Sequence, residues 1–522
     1  MKRNKTLLIT LILPILATLN LSWMIGTAAA SDVYITQTSA GINSGADCSN
    51  AHPVTWFNSS GNWANPKQSG KIGPSDTVHF CGTISTTATV QASGSAGSPV
   101  TLLFEPGAKF SAAVWSNATG AINVSNKSYL VIDGGSDGVI ENTDNGSSLG
   151  HKSNSIGILA SGSNNLEIKN LRISNIYVHS SISDTIDYAA DGAIYWQGTQ
   201  NNVSVHDCVI HDVHWALNYQ FGYGSCDGFL IYNNNIYNTD HGVGIGGYGA
   251  NTAKNISIYN NYIHDYANWD TTADAYHHDG IHVYANGGAH ANLGNIYNNV
   301  FGGDTGVNFT SHIYIEKDSE TNNDWKIFNN VFLPPPLGKG SGFGFIAIGS
   351  NSGTEVYNNT ILGGCKSTQG CYGILLSGGN TKVKNNIISG FSTGIVFYSA
   401  SPNTIWDNNL YADIKQIGAT VTPYGEYTSL ASWKSYLQGL NSSNEVHAIG
   451  VSNALLDSSG VPQAGSPAVG AGANLTIVGL PSLNLDKNQA QRPVSGAWDI
   501  GAYNANNSKL TVLPAPVLRN PI

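Results

Sequence analysis

Imidazole and carboxylate groups are concentrated in one short segment of the chain. Residues 274–282 read Asp–Ala–Tyr–His–His–Asp–Gly–Ile–His, and a second pair, Asp–His, occupies positions 240 and 241. Histidine and aspartate can act as general base and general acid, and their mutual proximity can shift both pKa values towards neutrality. The predicted catalytic residues are Asp279, His282, His278, His277, His241 and Asp240.

The structural elements that must position these groups are indicated by a repeated sequence motif, aliphatic–x–Asn–Asn–x–aliphatic. We call this motif the Asn phrase. Clear copies begin at Ile231, Ile258, Ile296, Ile327, Val356 and Val383, and degenerate copies begin at Ile168, Val205 and Ile405. The first Asn position is occupied by Asn170, Asp207, Asn233, Asn260, Asn298, Asn329, Asn358, Asn385 and Asp407. Self-similarity at intervals of 22 to 38 residues indicates stacked repeats. Asn at one turn position of successive coils can form a hydrogen-bonded ladder.

A second phrase, x–Gly–aliphatic–x–aliphatic, follows the Asn phrase within each unit, as at 242–245 and 280–283. Each unit therefore contains two or three short strands with period-2 alternation, separated by Gly, Asn and Asp turns. Parallel strands need long crossover connections, which a coil that advances one layer per turn supplies. One helix is predicted over 428–439, capped by Thr428 and ended by Gly439, with an apolar face that would cover the open end of the solenoid.

With repeats from about Leu130 to Leu410, the chain resembles the secreted right-handed parallel β-helix proteins of the polysaccharide-lyase and polygalacturonase-like class. Segments 466–472, 492–493 and 499–503 are similar to a pattern that closes many bacterial β-helix repeat proteins. The resemblance implies an all-β, right-handed parallel β-helix (a solenoid) with a small capping helix near the C-terminus. Asp240–His241–Gly242 partly resembles a His–Gly motif of the polygalacturonase-like hydrolases, but their paired Asp–Asp and Arg–x–Lys motifs are absent.

Two interruptions of the repeat predict where a ligand binds. The coils that start at Asn170 and Asn260 are about ten residues longer than the others, and insertions at equivalent points emerge on one side of a solenoid. With Ile281 and Val283 inward, His282 and Tyr284 point outward, and later coils place Ile346, Leu375 and Val396 in the column of His282. The predicted substrate-binding residues are Trp196, Asn218, Gln220, Tyr284, Asn308, Trp269, Tyr276 and Lys317.

Two reactions of a polysaccharide suit such a groove. Glycoside hydrolysis needs two carboxylates, about 5 Å apart for retention and about 6.5–9.5 Å apart for inversion. The candidates for this pair are Asp279, Asp240 and Asp191. β-Elimination needs a base and a cation beside the uronate carboxylate, and only Lys317, Arg172 or a bound Ca²⁺ could serve. The candidate calcium ligands are Asp184, Asp187, Asp191 and Asp274. The low Lys and Arg content favours hydrolysis, and a non-catalytic glycan-binding or adhesin-like surface protein is the alternative.

The termini and the charge predict an exported protein. Lys2, Arg3 and Lys5 precede an apolar run and an Ala-rich site at residue 30, which is typical of a signal peptide. Its removal takes three cations with it and changes the formal charge from −10 to −13, which disfavours nucleic acid and anionic membranes as partners. We expect a monomer. The predicted regions are 1–30 (signal peptide), 31–126 (N-terminal cap and first coils), 127–415 (β-helix), 416–504 (C-terminal capping region) and 505–522 (tail).

Six cysteines lie beyond the signal peptide. An even number of cysteines in an exported protein favours disulfides, and the pairing of close neighbours would be Cys48/Cys81, Cys208/Cys226 and Cys365/Cys371. Buried free thiols are the alternative. The absence of a Cys–x–x–Cys pair gives little support to a zinc–thiolate or redox site.

Overall fold

The chain forms a parallel β-helix in the computed structural model, which confirms the predicted fold class. The described residues are 29–145, 149–151, 153–176, 191–266, 277–306, 309–316, 324–336, 344–349, 353–378, 380–399 and 403–505. Short strands, usually two to eight residues long, alternate with tight turns throughout this part of the chain.

The strands of the described chain are numbered β1 to β38. The first ten are β1 (Asp32–Thr36), β2 (His52–Pro53), β3 (Thr77–Phe80), β4 (Thr83–Ile84), β5 (Ala88–Thr89), β6 (Val100–Phe104), β7 (Lys109–Ala112), β8 (Ile122–Asn123), β9 (Leu130–Asp133) and β10 (Val139–Asn142). The middle strands are β11 (Ile156–Leu159), β12 (Leu166–Lys169), β13 (Arg172–Ser174), β14 (Gly192–Gln197), β15 (Gln200–His206), β16 (Val209–Gln220), β17 (Cys226–Tyr232), β18 (Asn235–Tyr248), β19 (Thr252–Tyr259), β20 (Tyr262–His264), β21 (His278–Asn286), β22 (His290–Tyr297), β23 (Val300–Gly302) and β24 (Phe309–Ile315). The remaining strands are β25 (Lys326–Phe328), β26 (Val331–Phe332), β27 (Ile346–Ile348), β28 (Glu355–Tyr357), β29 (Thr360–Leu362), β30 (Tyr372–Leu376), β31 (Lys382–Lys384), β32 (Ile387–Ser389), β33 (Thr393–Ser399), β34 (Ile405–Asp407), β35 (Leu410–Ala412), β36 (Gln416–Thr422), β37 (Gly425–Tyr427) and β38 (Ile449–Val451).

Three ladders of parallel strands form the walls of the solenoid. Sheet 1 has the order β2-β1-β3-β6-β9-β12-β15-β17-β19-β22-β25-β28-β31-β34. Sheet 2 runs β4-β7-β10-β13-β16-β18-β20-β23-β26-β29-β32-β35-β38. Sheet 3 runs β5-β8-β11-β14-β16-β18-β21-β24-β27-β30-β33-β36, and β37 pairs antiparallel with β36. The long strands β16 and β18 belong to both sheets 2 and 3, so they carry the chain around the corner between these sheets without a turn.

The two Asn residues of the repeated phrase have different roles. The first adopts the left-handed conformation at one turn after another, with φ of 57° at Asn233, 56° at Asn260 and 55° at Asn298. In the last coil this position belongs to Asn408 (φ 56°), so the prediction of Asp407 is wrong by one residue. The second Asn points into the solenoid and forms the ladder. Its members are Asn234, Asn261, Asn299, Asn330, Asn359, Asn386 and Asn409.

In the Asn ladder each side-chain amide donates to the side-chain oxygen of the next member at 2.9–3.1 Å. Each amide also donates to a backbone carbonyl, as Asn330 Nδ2 does to Ile296 O at 2.9 Å. The ladder residues are at most 1% exposed. The amides are therefore fully paired inside the solenoid, which is the condition for burying so many polar groups.

The helix α2 (Leu430–Leu440) covers the C-terminal end of the solenoid, and α1 (Val54–Phe57) lies near the N-terminal end. Ser429 rather than Thr428 caps α2, since its Oγ accepts a hydrogen bond from Ser432 N at 3.2 Å. The helix ends at Leu440, one residue beyond Gly439. Trp433 and Leu437 are fully buried, and Trp433 packs against Trp406 of the last coil. Short 3₁₀ turns occur at Cys48–Asn50, Ser60–Asn62, Phe221–Tyr223, Thr476–Val478 and Pro481–Asn484.

The C-terminal segment 466–504 runs along the outside of the solenoid, beside the left-handed turns. Four of the first-position Asn side chains bind it: Asn329 donates to Leu485 O, Asn358 to Gly501 O, Asn385 to Ala473 O and Asn408 to Ala471 O, at 2.8–3.0 Å. Buried Arg492 donates to Asn329 Oδ1 at 2.9 Å. The segment that resembles a closing pattern thus spans several coils rather than covering one end.

Two of the three predicted disulfides are present. Cys48 is bonded to Cys81 and Cys365 to Cys371, whereas Cys208 and Cys226 are buried free thiols, so the third pairing is wrong. Cys226 pairs in register with Gln200, while Cys208 follows His206 at the far end of the same strand. Six strand residues span roughly 20 Å, far beyond the reach of a disulfide. Neither helix of the described chain has the length and apolarity needed to cross a bilayer.

Candidate histidine–aspartate site

The site is built on the outer surface of sheet 3, where β16, β18, β21 and β24 lie side by side. The register places Trp215, His241, Asp279 and Ser311 in one row across these strands. A second row contains Asn218, Gly244, His282 and Tyr314. The two rows are three residues apart along each strand, so strict alternation would place them on opposite faces. Both rows face outward because the alternation is broken between them. There Gly242 and Val243 of β18, like Gly280 and Ile281 of β21, are successive inward residues.

Four of the predicted catalytic side chains converge at this place: His241, His277, Asp279 and His282. One nitrogen or oxygen atom from each lies within 4.8 Å of the corresponding atom of the others. Asp279 Oδ2 is 3.1 Å from His277 Nε2, 3.4 Å from His241 Nε2 and 3.7 Å from His282 Nδ1. We call these four residues the His₃Asp cluster.

Three of the four converging atoms are buried and lack a hydrogen-bond partner: His241 Nε2, Asp279 Oδ2 and His282 Nδ1. The residues that carry them are 3%, 0% and 5% exposed. The Asp279–His241 separation allows electrostatic attraction, but the atoms do not have hydrogen-bond geometry. Buried polar atoms are almost always paired, so three unpaired atoms at one point are unusual.

The outer atoms of the same side chains are firmly bound. His241 Nδ1 donates to Asp240 Oδ2 at 2.6 Å, and His282 Nε2 donates to Glu316 Oε2 at 3.1 Å. Asp279 Oδ1 accepts from Ser311 N at 3.0 Å. These bonds fix the orientation of each group and direct its remaining nitrogen or oxygen towards the common point.

Behind the cluster, carboxylates and imidazoles alternate in a buried chain. His214 bridges Asp191 Oδ2 at 2.8 Å and Asp240 Oδ2 at 3.2 Å, and His278 Nδ1 is 2.7 Å from Asp240 Oδ1. Burial lowers the pKa of His214, but the two carboxylates outweigh it and raise this pKa to about 10. Burial likewise acts to raise the pKa of Asp240, and its three imidazole neighbours hold it well below the usual range. His278 and Asp240 therefore support His241 from behind instead of joining the cluster.

Solvent reaches the cluster through His277 and Glu316. The side chain of His277 is 46% exposed and that of Glu316 is 34% exposed. Burial acts to lower the pKa of His277, but Asp279 outweighs it and raises this pKa to about 9. Burial lowers the pKa of His282, with Glu316 opposing. Burial acts to raise the pKa of Asp279, and the imidazoles of His241 and His277 hold it below the usual range.

At three positions of the predicted outward columns the structure has a residue other than the predicted one. Asn218, Gln220, His282 and Tyr284 face outward as predicted. Trp196 lies in the core at 0% exposure, because β14 places Ile194 and Trp196 inward and Tyr195 and Gln197 outward.

The same outward column differs from the prediction on the far side of His282. Tyr314, not Asn308, follows His282, because the strand that pairs with β21 begins only at Phe309 and places Tyr314 opposite His282. Ile346 is inward, and its neighbour Ala347 occupies the column. Beyond it, Leu375 and Val396 are in the predicted places.

Several predicted residues lie outside the described residues. These are Asp184, Asp187, Trp269, Asp274, Tyr276, Asn308 and Lys317, as well as most of the two long insertions and residues 1–28. Of the four proposed calcium ligands only Asp191 is described, and its carboxylate accepts from His214. Arg172 lies on β13 and is exposed.

Sequence reasoning missed Glu316, His214, Trp215, Ser311 and Tyr314. Trp215 stacks on His241 with ring centroids 4.0 Å apart, and Tyr314 stacks on His282 at 5.1 Å. A signal for Trp215 existed, since it lies 26 residues before His241, which is the interval between the Asn phrases of those two coils. Tyr314 and Glu316 could not be found without the pairing of β24 with β21.

Comparison with known proteins gives a partial family match and several similar folds. The family described as periplasmic copper-binding protein (NosD) matches residues 339–432, which exclude the His₃Asp cluster. No curated protein matches the chain.

Three solved structures illustrate the similar folds. Pectate lyase Pel9A is 14% identical with a TM-score of 0.48, covering 92% of this chain and 97% of that one. PfbA, a surface adhesin of Streptococcus pneumoniae, is 17% identical with a TM-score of 0.42 (66% and 83%), and a family 28 exopolygalacturonase of Yersinia enterocolitica is 11% identical with a TM-score of 0.39 (75% and 77%). At these values the likenesses carry no information on activity.

Proposed function

We propose that the protein is an exported, carbohydrate-active enzyme that acts on a polysaccharide at the outward face of sheet 3. One observation supports this above all: polar and aromatic outward side chains are concentrated in the coils beside the His₃Asp cluster. Across β14 to β24 one outward row reads Tyr195, Asn218, Gly244, His282 and Tyr314. In the next coils the same row becomes Ala347, Leu375 and Val396.

The side chains of this face suit a sugar chain. Aromatic rings can pack against the apolar faces of sugar rings, and amides can bind hydroxyl groups. Gln220 is held in place by Asn218 Oδ1 at 2.7 Å and by the Tyr284 hydroxyl at 2.9 Å. A Cβ at Gly246 would lie 2.0 Å from the ring of Tyr284, so glycine is needed for that ring to lie flat across β18.

Hydrolysis and β-elimination assign different roles to the cluster. Asp240 is 2% exposed and enclosed by three imidazoles, so hydrolysis by two carboxylates would have to use Asp279 with the more exposed Glu316. β-Elimination would use an imidazole as the base, and His277 is the most exposed imidazole of the cluster. Because its pKa is raised to about 9, His277 would act as a base mainly at alkaline pH. In both reactions Asp279 is essential, because it touches all three imidazoles.

Incubation of the purified protein with a panel of neutral and acidic polysaccharides tests the proposal. Hydrolysis yields new reducing ends alone, whereas β-elimination yields in addition an unsaturated product that absorbs ultraviolet light. We expect Asp279→Asn and His277→Ala to lower turnover at least about 100-fold, the usual contribution of a positioned acid or base. The matched control is His447→Ala, since His447 also pairs with a carboxylate (Asp407, 2.8 Å) but lies in the C-terminal part of the chain.

The panel also separates an enzyme from a non-catalytic glycan-binding protein. A binding protein would retain a glycan without new reducing ends, and the substitutions would weaken retention only. A folded wild-type protein that turns over none of the polysaccharides would contradict the enzymatic proposal.

A further inference from the structure

We propose that the His₃Asp cluster binds one divalent transition-metal ion. The donors are His241 Nε2, His277 Nε2, Asp279 Oδ2 and His282 Nδ1. This inference goes beyond the proposed action on polysaccharides and does not depend on it, since a metal ion can be bound and measured without any glycan.

The separations between the donor atoms suit a small ion. Two donors that each lie about 2.0–2.1 Å from a tetrahedral Zn²⁺ are roughly 3.3–3.4 Å apart. Asp279 Oδ2 lies 3.1, 3.4 and 3.7 Å from the nitrogens of His277, His241 and His282. All four donors lie within 4.8 Å of one another. The widest separation exceeds that of a tetrahedral site by about 1.4 Å, so side-chain movements of less than about 1 Å at each donor bring them around one ion.

The unpaired atoms give independent support. His241 Nε2, Asp279 Oδ2 and His282 Nδ1 are buried without a hydrogen-bond partner. A buried polar atom without a partner costs about 1–3 kcal/mol. One metal ion would satisfy all three, which no single hydrogen-bond donor or acceptor among the described neighbours does.

The surrounding hydrogen bonds are those that metal ligands require. A ligating histidine usually donates its other ring N–H to a carboxylate, and this fixes the tautomer that leaves a lone pair for the metal. His241 donates to Asp240 at 2.6 Å and His282 donates to Glu316 at 3.1 Å, which leaves Nε2 of the first and Nδ1 of the second available. Asp279 accepts from Ser311 N through Oδ1, which leaves Oδ2 for the metal.

The donor types select the class of metal. Ca²⁺ and Mg²⁺ prefer sites made wholly of oxygen ligands, whereas three imidazoles and one carboxylate suit Zn²⁺ and its first-row neighbours. We therefore expect Zn²⁺, and Co²⁺ as its spectroscopic substitute, to bind at one ion per chain. An excess of Ca²⁺ should not displace them.

The decisive experiment uses the protein without its predicted signal peptide, after treatment with EDTA and dialysis. Zn²⁺ binding is measured by calorimetry and by elemental analysis, and Co²⁺ binding by its visible absorption band. Asp279→Asn retains the shape of the side chain and the bond from Ser311, and His282→Ala removes a nitrogen donor. We expect each substitution to lower the affinity for Zn²⁺ at least about 100-fold. This is more than the usual effect of replacing a residue that only hydrogen-bonds to a metal ligand. His447→Ala should bind like the wild type.

Several results would overturn the inference. One is a folded wild-type protein that takes up no stoichiometric Zn²⁺ or Co²⁺, and another is Zn²⁺ that Ca²⁺ displaces. Equal Zn²⁺ affinity in Asp279→Asn, with unchanged circular dichroism, would also contradict it. If a variant does not fold, the Co²⁺ spectrum of the wild type still decides, because imidazole-rich coordination and solvent coordination differ in their absorption. Failure on the glycan panel with normal Zn²⁺ uptake would contradict the proposed function and leave the metal site standing.

Discussion

The solenoid contains two buried polar arrays, which differ in whether their polar atoms have hydrogen-bond partners. In the Asn ladder every side-chain amide from Asn234 to Asn386 donates to the next amide and to a backbone carbonyl, and the last, Asn409, donates to Glu445 and to Val383 O. In the His₃Asp cluster the outer atoms are bound, but three inner atoms have no hydrogen-bond partner. Both arrays are at most a few per cent exposed over most of their members. Burial alone therefore does not distinguish a structural array from a functional one.

The two arrays differ in how many of their buried polar atoms still lack a partner. Stacked Asn side chains can pair with one another along a ladder, since each amide has both a donor and an acceptor. Imidazoles whose N–H groups are taken up by carboxylates present lone pairs, and several lone pairs facing one another repel. Such an arrangement is stable only if a cation or a set of protons occupies the centre. The ladder is thus complete as it stands, whereas the cluster leaves three atoms that a cation or protons could satisfy.

The largest expected effect comes from breaking the ladder in its middle. Asn330→Ala removes the hydrogen bonds that its amide donates to Ile296 O and Asn359. It also leaves one side-chain N–H and the backbone N–H of Asn299 without their acceptor. We expect the free energy of unfolding to fall by roughly 3–6 kcal/mol, since several buried groups lose partners. Chemical denaturation measures it, with exposed Asn453→Ala as the control at less than about 1 kcal/mol. A loss below that of the control would mean that the ladder does not stabilise the fold.

A second prediction concerns the end of the ladder, where buried Glu445 accepts from Asn409 at 3.0 Å and from Tyr411. Burial raises the pKa of Glu445 from 4.5 to about 7, despite these two hydrogen bonds. Between these values the folded protein holds a proton that the unfolded chain releases, so stability falls as the pH rises. The fall amounts to about 3 kcal/mol.

Denaturation at pH 4.5, 5.5 and 7.5 measures this dependence. Glu445→Gln should lose that component of the pH profile, because its amide oxygen accepts the same two bonds without titrating. An unchanged profile in Glu445→Gln would show that another group causes the dependence.

The smallest effect should come from an outer partner of the cluster. Glu316→Gln retains a hydrogen-bond acceptor for His282 but removes the negative charge that raises the basicity of this imidazole. We expect Zn²⁺ affinity to fall about 10–100-fold with little change in the unfolding of the metal-free protein. Calorimetry and denaturation of the same sample give both numbers. A large loss of stability without a change in affinity would place Glu316 in the structural class, with the ladder.

The fold could be predicted from the sequence because its signal is local and repeated. The Asn phrase marks a left-handed turn followed by an inward amide, and each copy confirms the others. The sequence did not show which of the two Asn residues forms the ladder, since both are the same residue type. The pairing of Cys208 with Cys226 was wrong because closeness along the chain says nothing about the opposite ends of a strand.

The site could be predicted only as far as the register was certain. His241, Asp279 and His282 were found because β18 and β21 align through identical Gly–aliphatic phrases. Trp196 was misplaced by one residue, since either alternation of β14 presents an aromatic side chain to the core. Tyr314 and Glu316 were missed because the prediction placed Asn308 beside His282, whereas His282 pairs with Tyr314, six residues further along the chain.

The C-terminal segment changes how this solenoid unfolds. In a simple repeat protein each coil touches only its neighbours, so the terminal coils can peel away one at a time. Here a single stretch of chain is bonded to Asn329, Asn358, Asn385 and Asn408, which belong to four successive coils. None of the four can fray alone without releasing the stretch that also fastens the other three. We therefore expect this half of the molecule to unfold as one cooperative unit, in which the inner coils oppose local unfolding of the terminal coil.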